Sequence, residues 1–500
     1  MICDLKDTSD FPQPPLNPFI FLRLLSRSVH QHIHEFNSIQ LVNTTGITSY
    51  DTVDAGEIIQ DALESIVKSE WWERMWTIQE IVLPRTAKVV CGQWMIPWTS
   101  LVSYCVRWLT HTPDCCNEHR YPWTSKVMYT LKLLGKRCQD LEEIRNHVAQ
   151  DGNRLDVFYF SELLTSTLDK KCRDPRDKVF SLLGLFSDAE DEILQPDYSQ
   201  SAKETYERAV AKVAEFRQEN PLFVLSPAFR SPSSARLSLP SWVPDFSLEV
   251  DHNFVRMRRD RKYTFQANYN ASKGHASTAI IDSGEFFEVG IHVDTVAAVN
   301  RLPTPFVPTN ITQWFNFVRL TQEALHKDKH PGTNKHEDNL LLSFWRALQG
   351  DLKTAKQDFT TWRRLSKQDL REEDAWRFEA SLKAASPSSA NGILDDYSHM
   401  PLIVDGRALF LTRTGRRWGF GVPEVQPGDE IWILYGSPVP FILRPPVVRY
   451  NEDGVAEFAG GAGSRNARPY SFVGDCYLDG VMFGEALVNS VFKEEIVVLR

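Results

Sequence analysis

The side chains best suited to chemistry lie in two short segments, WWERMWTIQE at residues 71–80 and RDPRDKVFSLLGL at residues 173–185. The first sets Glu80 beside Gln79 in a run of tryptophans. A carboxylate half-buried against aromatic rings has its pKa pushed up, toward the range of a general acid or base. In one continuous helix Trp72, Met75, Trp76 and Gln79 share a face, with Arg74 and Glu80 off it. An aromatic core stripe with ordinary surface charge is the simpler reading. The second segment crowds Asp174, Arg176, Asp177 and Lys178 around Pro175, but helix physics accounts for it without catalysis. Asp174 can accept hydrogen bonds from the first-turn N–H groups. Pro175 then takes the first helical position, where a missing N–H costs nothing. Asp177 suits the positive end of the helix dipole. Arg176 and Lys178 are expected in solvent, or Arg176 pairs with a carboxylate. Val179, Leu182, Leu183 and Phe186 recur at helical spacing and predict one buried face. Gly184 stands where that helix should stop.

Other reactive groups fit ordinary structure better. HTPDCCNEH gathers His111, Cys115, Cys116 and His119, which are zinc-ligand types. Adjacent cysteines are not the usual C-x₂-C pair and no second pair follows, so a polar loop without metal is expected. His30, His32 and His34 lack the H-E-x-x-H pattern and are read as solvated. There is no P-loop, G-x-G-x-x-G, G-x-S-x-G or kinase signature. GFGVPEVQPG at residues 419–428 reads as a turn rather than a phosphate cradle. RMRRDRK at residues 256–262 is the densest basic run. It reads as a solvated loop; an anionic partner is the sharper alternative, without the interleaved aromatics that would support it.

These groups sit in a chain of 500 residues with a formal net charge of -9, which argues against a dedicated nucleic-acid binder. No run approaches the ~20 apolar residues of a membrane span. PFIFLRLL near the start follows acidic residues and is broken by Arg23, unlike a secretory signal. Eight cysteines are too few and too scattered for a disulfide scaffold, so reduced thiols and a cytoplasmic location are expected.

The elements that must position the two segments can be read by periodicity. Helices are expected at residues 55–67, over WWERMWTIQEIVL, and at 99–111, 125–147, 157–169, 175–186 and 201–217. TAKVVCG reads as a strand. After Asn220 the pattern turns to short strands: LFVLS, SWVPDFS, KYTFQA, STAIID and EFFEVGIHVDTVAAV. Residues 311–383 read as a helical insert around a polar loop. GRALFLT, DEIWILYG, VPFILR, YSFVGDCYLDG and EEIVVLR then predict a β-rich end.

Taken in order, several segments resemble one family, the fungal heterokaryon incompatibility (HET) domain proteins. WWERMWTIQE matches the family's Trp-Arg-Trp-Thr-Gln-Glu motif at Trp72, Arg74, Trp76, Thr77, Gln79 and Glu80. VVCG follows. RDPRDKVFSLLGL matches the Asp-Pro-Arg-Asp-Lys segment at Asp174, Pro175, Arg176, Asp177 and Lys178. PDYSQSAKETY, SWVPDFS, FWRAL, GDEIWILYGSPVPFILR and VGDCYLDGVMFGEAL continue the series. The family's opening Ala-Leu-Ser-Tyr-x-Trp-Gly segment and the two that follow it have no counterpart, so the N-terminal part of the HET domain is expected to be missing.

The resemblance implies a mixed α+β and α/β architecture. Residues 1–98 would be a truncated, TIR-like α/β remnant of the HET domain, and 99–220 a helical segment. Residues 221–310 would be β-rich, 311–390 a helical insert and 391–500 a β-rich C-terminal segment. It also implies non-self recognition and cell-death signalling in filamentous fungi, through protein partners or self-association. Neither nucleic acid nor membrane is expected as a partner, and no catalysis or cofactor. Two alternatives stand beside this reading. One is a TIR-like NAD-cleaving enzyme with Glu80 as its carboxylate. The other is an inactive truncated fragment whose uncovered sheet edges need a partner.

Overall fold

The computed structural model describes residues 2–3, 38–43, 46–51, 63–92, 94–115, 125–150, 159–186, 195–216, 219–229, 237–301, 308–327, 340–355, 358–366, 403–414, 417–446, 448–450, 456–458, 469–488 and 492–500, with positions 19, 22, 60, 61 and 369. The chain divides into two compact units. One comprises Met1–Phe160 and Asp169–Tyr198, the other Ser161–Leu168 and Ser199–Arg500.

The first unit is helical around small sheets. Strand β1 (Ile2–Cys3) precedes a separate hairpin of β2 (Ser38–Asn43) and β3 (Gly46–Asp51). Helix α1 (Thr77–Val82) leads into β4 (Lys88–Cys91) and β5 (Trp94–Pro97). β4 pairs parallel with β1 and antiparallel with β5. Gly92 turns that hairpin at φ 56°, a region that disfavours a side chain. Two long helices follow, α2 (Trp98–Cys115) and α3 (Ser125–Gln150). Leu131, Leu134, Cys138 and Leu141 are buried at helical spacing on α3. Buried Trp98 ties the pair by donating its indole N–H to Glu142 at 2.7 Å. Arg145 of α3 donates to the carbonyls of Ile81 and Arg85 at the end of α1, satisfying groups that a helix terminus leaves open. Helix α4 (Phe160–Ser166) belongs from Ser161 on to the second unit, and helix α5 (Asp177–Leu183) returns to the first.

After α4 the second unit continues with α6 (Ala202–Phe216), started by a capping box. The Glu204 N–H donates to Ser201 Oγ at 3.2 Å, and the Ser201 N–H to Glu204 Oε2 at 2.7 Å. Asn220 caps α7 (Pro221–Val224), and Asp251 caps α8 (His252–Asn268). Then come β6 (Ile280–Asp282), β7 (Glu285–Arg301), α9 (Pro308–Lys327), α10 (Leu340–Leu348) and a hairpin of β8 (Leu352–Ala355) and β9 (Asp358–Arg364). The remaining elements are β10 (Ala408–Thr412), β11 (Trp418–Gly421), β12 (Glu430–Leu434), β13 (Phe441–Arg444), the small hairpin β14 (Val448–Tyr450) and β15 (Ala456–Phe458), β16 (Pro469–Leu478), α11 (Glu485–Val488) and β17 (Glu494–Leu499).

An eight-stranded sheet runs in the order β10-β11-β16-β13-β12-β7-β17, with β6 on β7. It closes on itself, because β10 also pairs with β7 and β16 with β17. The 17-residue β7 makes this possible. Its first half pairs with β17 and its last residues with β10. Register shifts against β12 and β10 bend it between the two. Ile291, Val296, Phe410, Ile431, Ile433, Ile442, Cys476 and Leu478 form the buried core. β11 reads Trp-Gly-Phe-Gly, with every position buried. A Cβ on Gly419 would lie 2.3 Å from the Phe410 ring, and one on Gly421 would lie 2.4 Å from Ile442. The glycines leave the interior to those side chains, while Trp418 and Phe420 pack outward under Phe344. Arg500 seals the last strand, exchanging backbone bonds with Tyr470 and Ser241 and bonding Glu285.

Several expectations are corrected. LFVLS is helical, because Asn220 and Pro221 form a helix start. SWVPDFS is a pair of turns around buried Trp242. RMRRDRK and KYTFQA belong to helix α8 rather than to a solvated loop and a strand. Arg261 and Lys262 are buried there: Lys262 bonds Glu162 at 2.7 Å, and Arg261 bonds the Asp405 carbonyl. The helical reading of 311–383 holds for α9 and α10 but gives way to the β8–β9 hairpin. The glycines of GFGVPEVQPG begin within strand β11 rather than in a turn. The five C-terminal strands and β7 stand as expected.

Since β7 pairs with β6, β10, β12 and β17, a fragment of residues 302–500 should show no cooperative thermal transition by circular dichroism. A fragment of residues 199–500 should show one.

Candidate functional site

The two motif segments meet within the first unit. WWERMWTIQE is not one helix. A 3-10 turn (Glu70–Glu73) is followed by extended Arg74, and only then by α1. The chain leaves the helix there to pair with the segment that leads into the second motif. The Met75 N–H donates to the Lys171 carbonyl at 2.8 Å, the Lys171 N–H to the Glu73 carbonyl, and Arg74 and Lys171 form a parallel bridge. Trp72 and Met75 are therefore buried while Trp76 is 38% exposed, which overturns the shared helical face. Trp72 is fixed by donating its indole N–H to the Ile66 carbonyl at 2.8 Å, with the Arg137 guanidinium over its ring.

Asp177 is the centre of the junction. Trp76 donates its indole N–H to Oδ2 at 3.1 Å, and the Tyr198 hydroxyl donates to Oδ1 at 2.7 Å. Burial and the Asp177 carboxylate raise the Tyr198 hydroxyl to about 12, so it stays protonated and donating. Phe180 meets the Tyr198 ring edge-on at 5.0 Å, and the Arg176 guanidinium lies 5.1 Å from its centroid. Arg176 also grips Asp174 through Nε at 2.9 Å and Nη2 at 2.6 Å. That guanidinium holds the Asp174 carboxyl below its ordinary range. Asp174 Oδ1 also accepts the Arg176 N–H at 3.0 Å, the expected capping bond. The α-helix proper starts at Asp177, after a first turn through Pro175. Lys178 is not solvated. It is buried and donates to the Lys170 carbonyl, while Lys170 donates to the Trp72 carbonyl at 2.6 Å.

The remaining motif positions lock the same joint. Gln79 donates from Nε2 to the Ser181 carbonyl at 2.7 Å. A Cβ on Gly184 would lie 2.8 Å from that nitrogen, so the glycine is a docking surface. Its φ of -64° shows that it does not end the helix by a left-handed turn. Thr77 donates its hydroxyl to the Arg74 carbonyl at 2.6 Å. Glu80 has an oxygen on the Trp71 indole N–H at 2.7 Å and the other on Arg74 at 3.3 Å. The junction thus uses its carboxylates as acceptors for its own donors. It presents Trp76 and Tyr198, the latter 50% exposed, beside Arg176. Residue type alone does not point to Tyr198, Ser181 or Lys170; the signal for Tyr198 is its place in the PDYS segment.

The second unit joins its own motif segments by ion pairs. Arg444 of VPFILR grips Asp429 of GDEIW at 2.8 and 3.0 Å. Arg346 of FWRAL grips Asp479 of YLDG at 2.6 and 2.5 Å. Among the described residues no group of three His, Cys, Asp or Glu comes together to hold a metal. Cys116, His119, His30, His32 and His34 lie outside them. No described helix is long and apolar enough to cross a membrane. Cys105, Cys138, Cys172 and Cys476 carry free thiols.

Comparison with known proteins adds to this geometry. A family model described as the Het-6 beta-barrel domain matches residues 335–498. That stretch holds β10 to β16 and most of β17, but not β7, which the barrel needs to close. The chain is 23% identical over 488 residues to heterokaryon incompatibility protein 6, OR allele, of Neurospora crassa. The match takes in 86% of this chain and 66% of that protein, so the chain spans a little under two thirds of its relative's length. No solved structure matches.

Gly184→Ala should push Gln79 off the Ser181 carbonyl and cost about 1 kcal/mol in urea unfolding, with Gln79→Ala partly rescuing it. Because Arg176 lowers the folded Asp174 pKa, that pair stabilises fully above the ordinary carboxylate range of ~4. Its contribution is lost as pH falls through the lower folded value. Arg176→Gln should therefore flatten the acid limb of a stability–pH curve and leave the limb above pH ~5 parallel to the native one.

Proposed function

The chain is a protein of the fungal heterokaryon incompatibility family, and we propose that it acts in incompatibility as a binding and signalling protein without catalysis of its own. The observation that supports this is the state of the motif carboxylates. Glu80 is engaged by Trp71 and Arg74, Asp177 by Trp76 and Tyr198, and Asp174 by Arg176. A general base or nucleophile needs an oxygen free to face its substrate. These oxygens instead hold the chain's segments together. At its surface the junction exposes Trp76 and Tyr198, with Arg74 beside Glu80, and Trp, Tyr and Arg are the residue types that dominate binding hot spots. The ligand of this surface is then another protein, in non-self recognition leading to cell death. On this reading residues 1–98, with their parallel β1–β4 pair, carry a TIR-like α/β layer.

Induced expression of the chain in a filamentous fungus should arrest growth. A Trp76→Ala, Tyr198→Ala double variant at matched protein level should grow. Equal growth in both would set aside effector activity within these residues. NAD consumption by the purified chain, lost in Glu80→Gln, would overturn the reading in favour of an NAD-cleaving enzyme.

A further inference from the structure

The aromatic rings of the motif junction are served unequally by cations. The Arg137 guanidinium lies 5.9 Å from the centroid of the Trp72 ring, and that of Arg176 lies 5.1 Å from the centroid of Tyr198. Trp71 meets the Trp72 ring edge-on at 5.1 Å. Trp76 is 38% exposed, and among the described residues neither a cation nor a second ring lies against it. Its side chain is held at one edge, where the indole N–H donates to Asp177 Oδ2 at 3.1 Å.

The charge at that edge is uncompensated. The motif carboxylates around it have cations of their own: Asp174 has Arg176 at 2.6 Å, Glu80 has Arg74 at 3.3 Å and Glu73 has Lys171 at 2.6 Å. Asp177 instead accepts from two neutral donors, the Trp76 indole and the Tyr198 hydroxyl, and forms no ion pair among the described residues. Its sequence neighbours are engaged elsewhere. Arg176 binds Asp174 and the Tyr198 carbonyl, and Lys178 turns inward to the Lys170 carbonyl.

Both features select the same ligand charge. The face of an indole ring is negative and attracts a cation more strongly than the other aromatic side chains do. A carboxylate without a counter-ion at the ring edge adds to that attraction and repels an anion. Of the two basic side chains, arginine fits better, because its guanidinium is planar, weakly hydrated and stacks on aromatic rings. The chain already uses guanidinium groups in this way on Trp72 and Tyr198.

We propose that Trp76 and Asp177 form a receptor for an arginine side chain of the partner protein. The guanidinium covers the indole and its charge compensates Asp177, whose bonds to Trp76 and Tyr198 stay in place. This rests on the reading of the junction as a protein-binding surface, and it names what that surface takes.

Fluorine NMR of the full chain labelled with fluorotryptophan tests it, with the Trp76 signal assigned by its absence in Trp76→Phe. N-acetyl-arginine amide should shift that signal saturably. The neutral isostere N-acetyl-citrulline amide should bind about fivefold more weakly or not at all, since charge makes the contact. No saturable shift at Trp76, or equal affinity for the two probes, overturns the proposal. Asp177→Asn should weaken the arginine probe by a similar factor, and unchanged affinity in that variant also overturns it. Growth arrest is read separately. Arrest that depends on Trp76 without arginine binding keeps the signalling reading and removes this one, while arginine binding without arrest does the reverse.

Discussion

A closed sheet allows no strand to end in unpaired backbone, and here that constraint falls on β7. Its N–H and C=O groups must serve β17 and β6 early, β12 in the middle and β10 at the end. A straight strand cannot reach all of these, so the ladder shifts register twice along it. The rest of the unit follows from that bend. Glycines line β11 where the wall closes on Phe410. The outward Trp418 and Phe420 need the aromatic cover of α9 and α10. The segment from Asn220 to Thr278 is tied to β7 through buried Glu288, which accepts from Asn220, Ser277 and Thr278.

The first unit solves a similar problem with side chains. Its segments touch through few continuous ladders, so carboxylates serve as sockets for indole, hydroxyl and guanidinium donors. Exposed ion pairs such as Arg74–Glu80 are worth little by themselves, about 0–1 kcal/mol. Their value here is geometric. Two donors on Asp177 fix both the entry to α5 and the placement of Tyr198, and steric contact at Gly184 fixes the approach of α1.

The strands of the barrel were legible because β-branched and aromatic residues alternate over short runs between turns. The cap at Asp174 was legible because capping is local chemistry. The misreadings share a cause in contacts between distant residues. Helix α8 hides its amphipathic pattern because Arg261 and Lys262 occupy its buried face, where the Asp405 carbonyl and Glu162 help make that tolerable. WWERMWTIQE has helical spacing throughout, yet Lys171 draws Arg74 into an extended bridge. Of the junction, the motif residues could be named in advance, but not their pairing. Asp177 finds Trp76 across 101 positions of chain, and no local pattern encodes that.

The closure of the barrel also has a consequence for biosynthesis. β7 emerges from the ribosome well before β10, β12 or β17 exists to pair with it. At about 5–20 residues per second, its edges wait on the order of ten seconds or more. During that time the run EFFEVGIHVDTVAAV, beyond the few residues paired with β6, is an apolar strand without its later partners, the kind of segment that associates between nascent chains. Glu288 and Asp294 within it, buried once the fold is complete, are charged and solvated in that interval. Two carboxylates that cost energy to bury in the finished barrel thereby guard the strand while it is still being made.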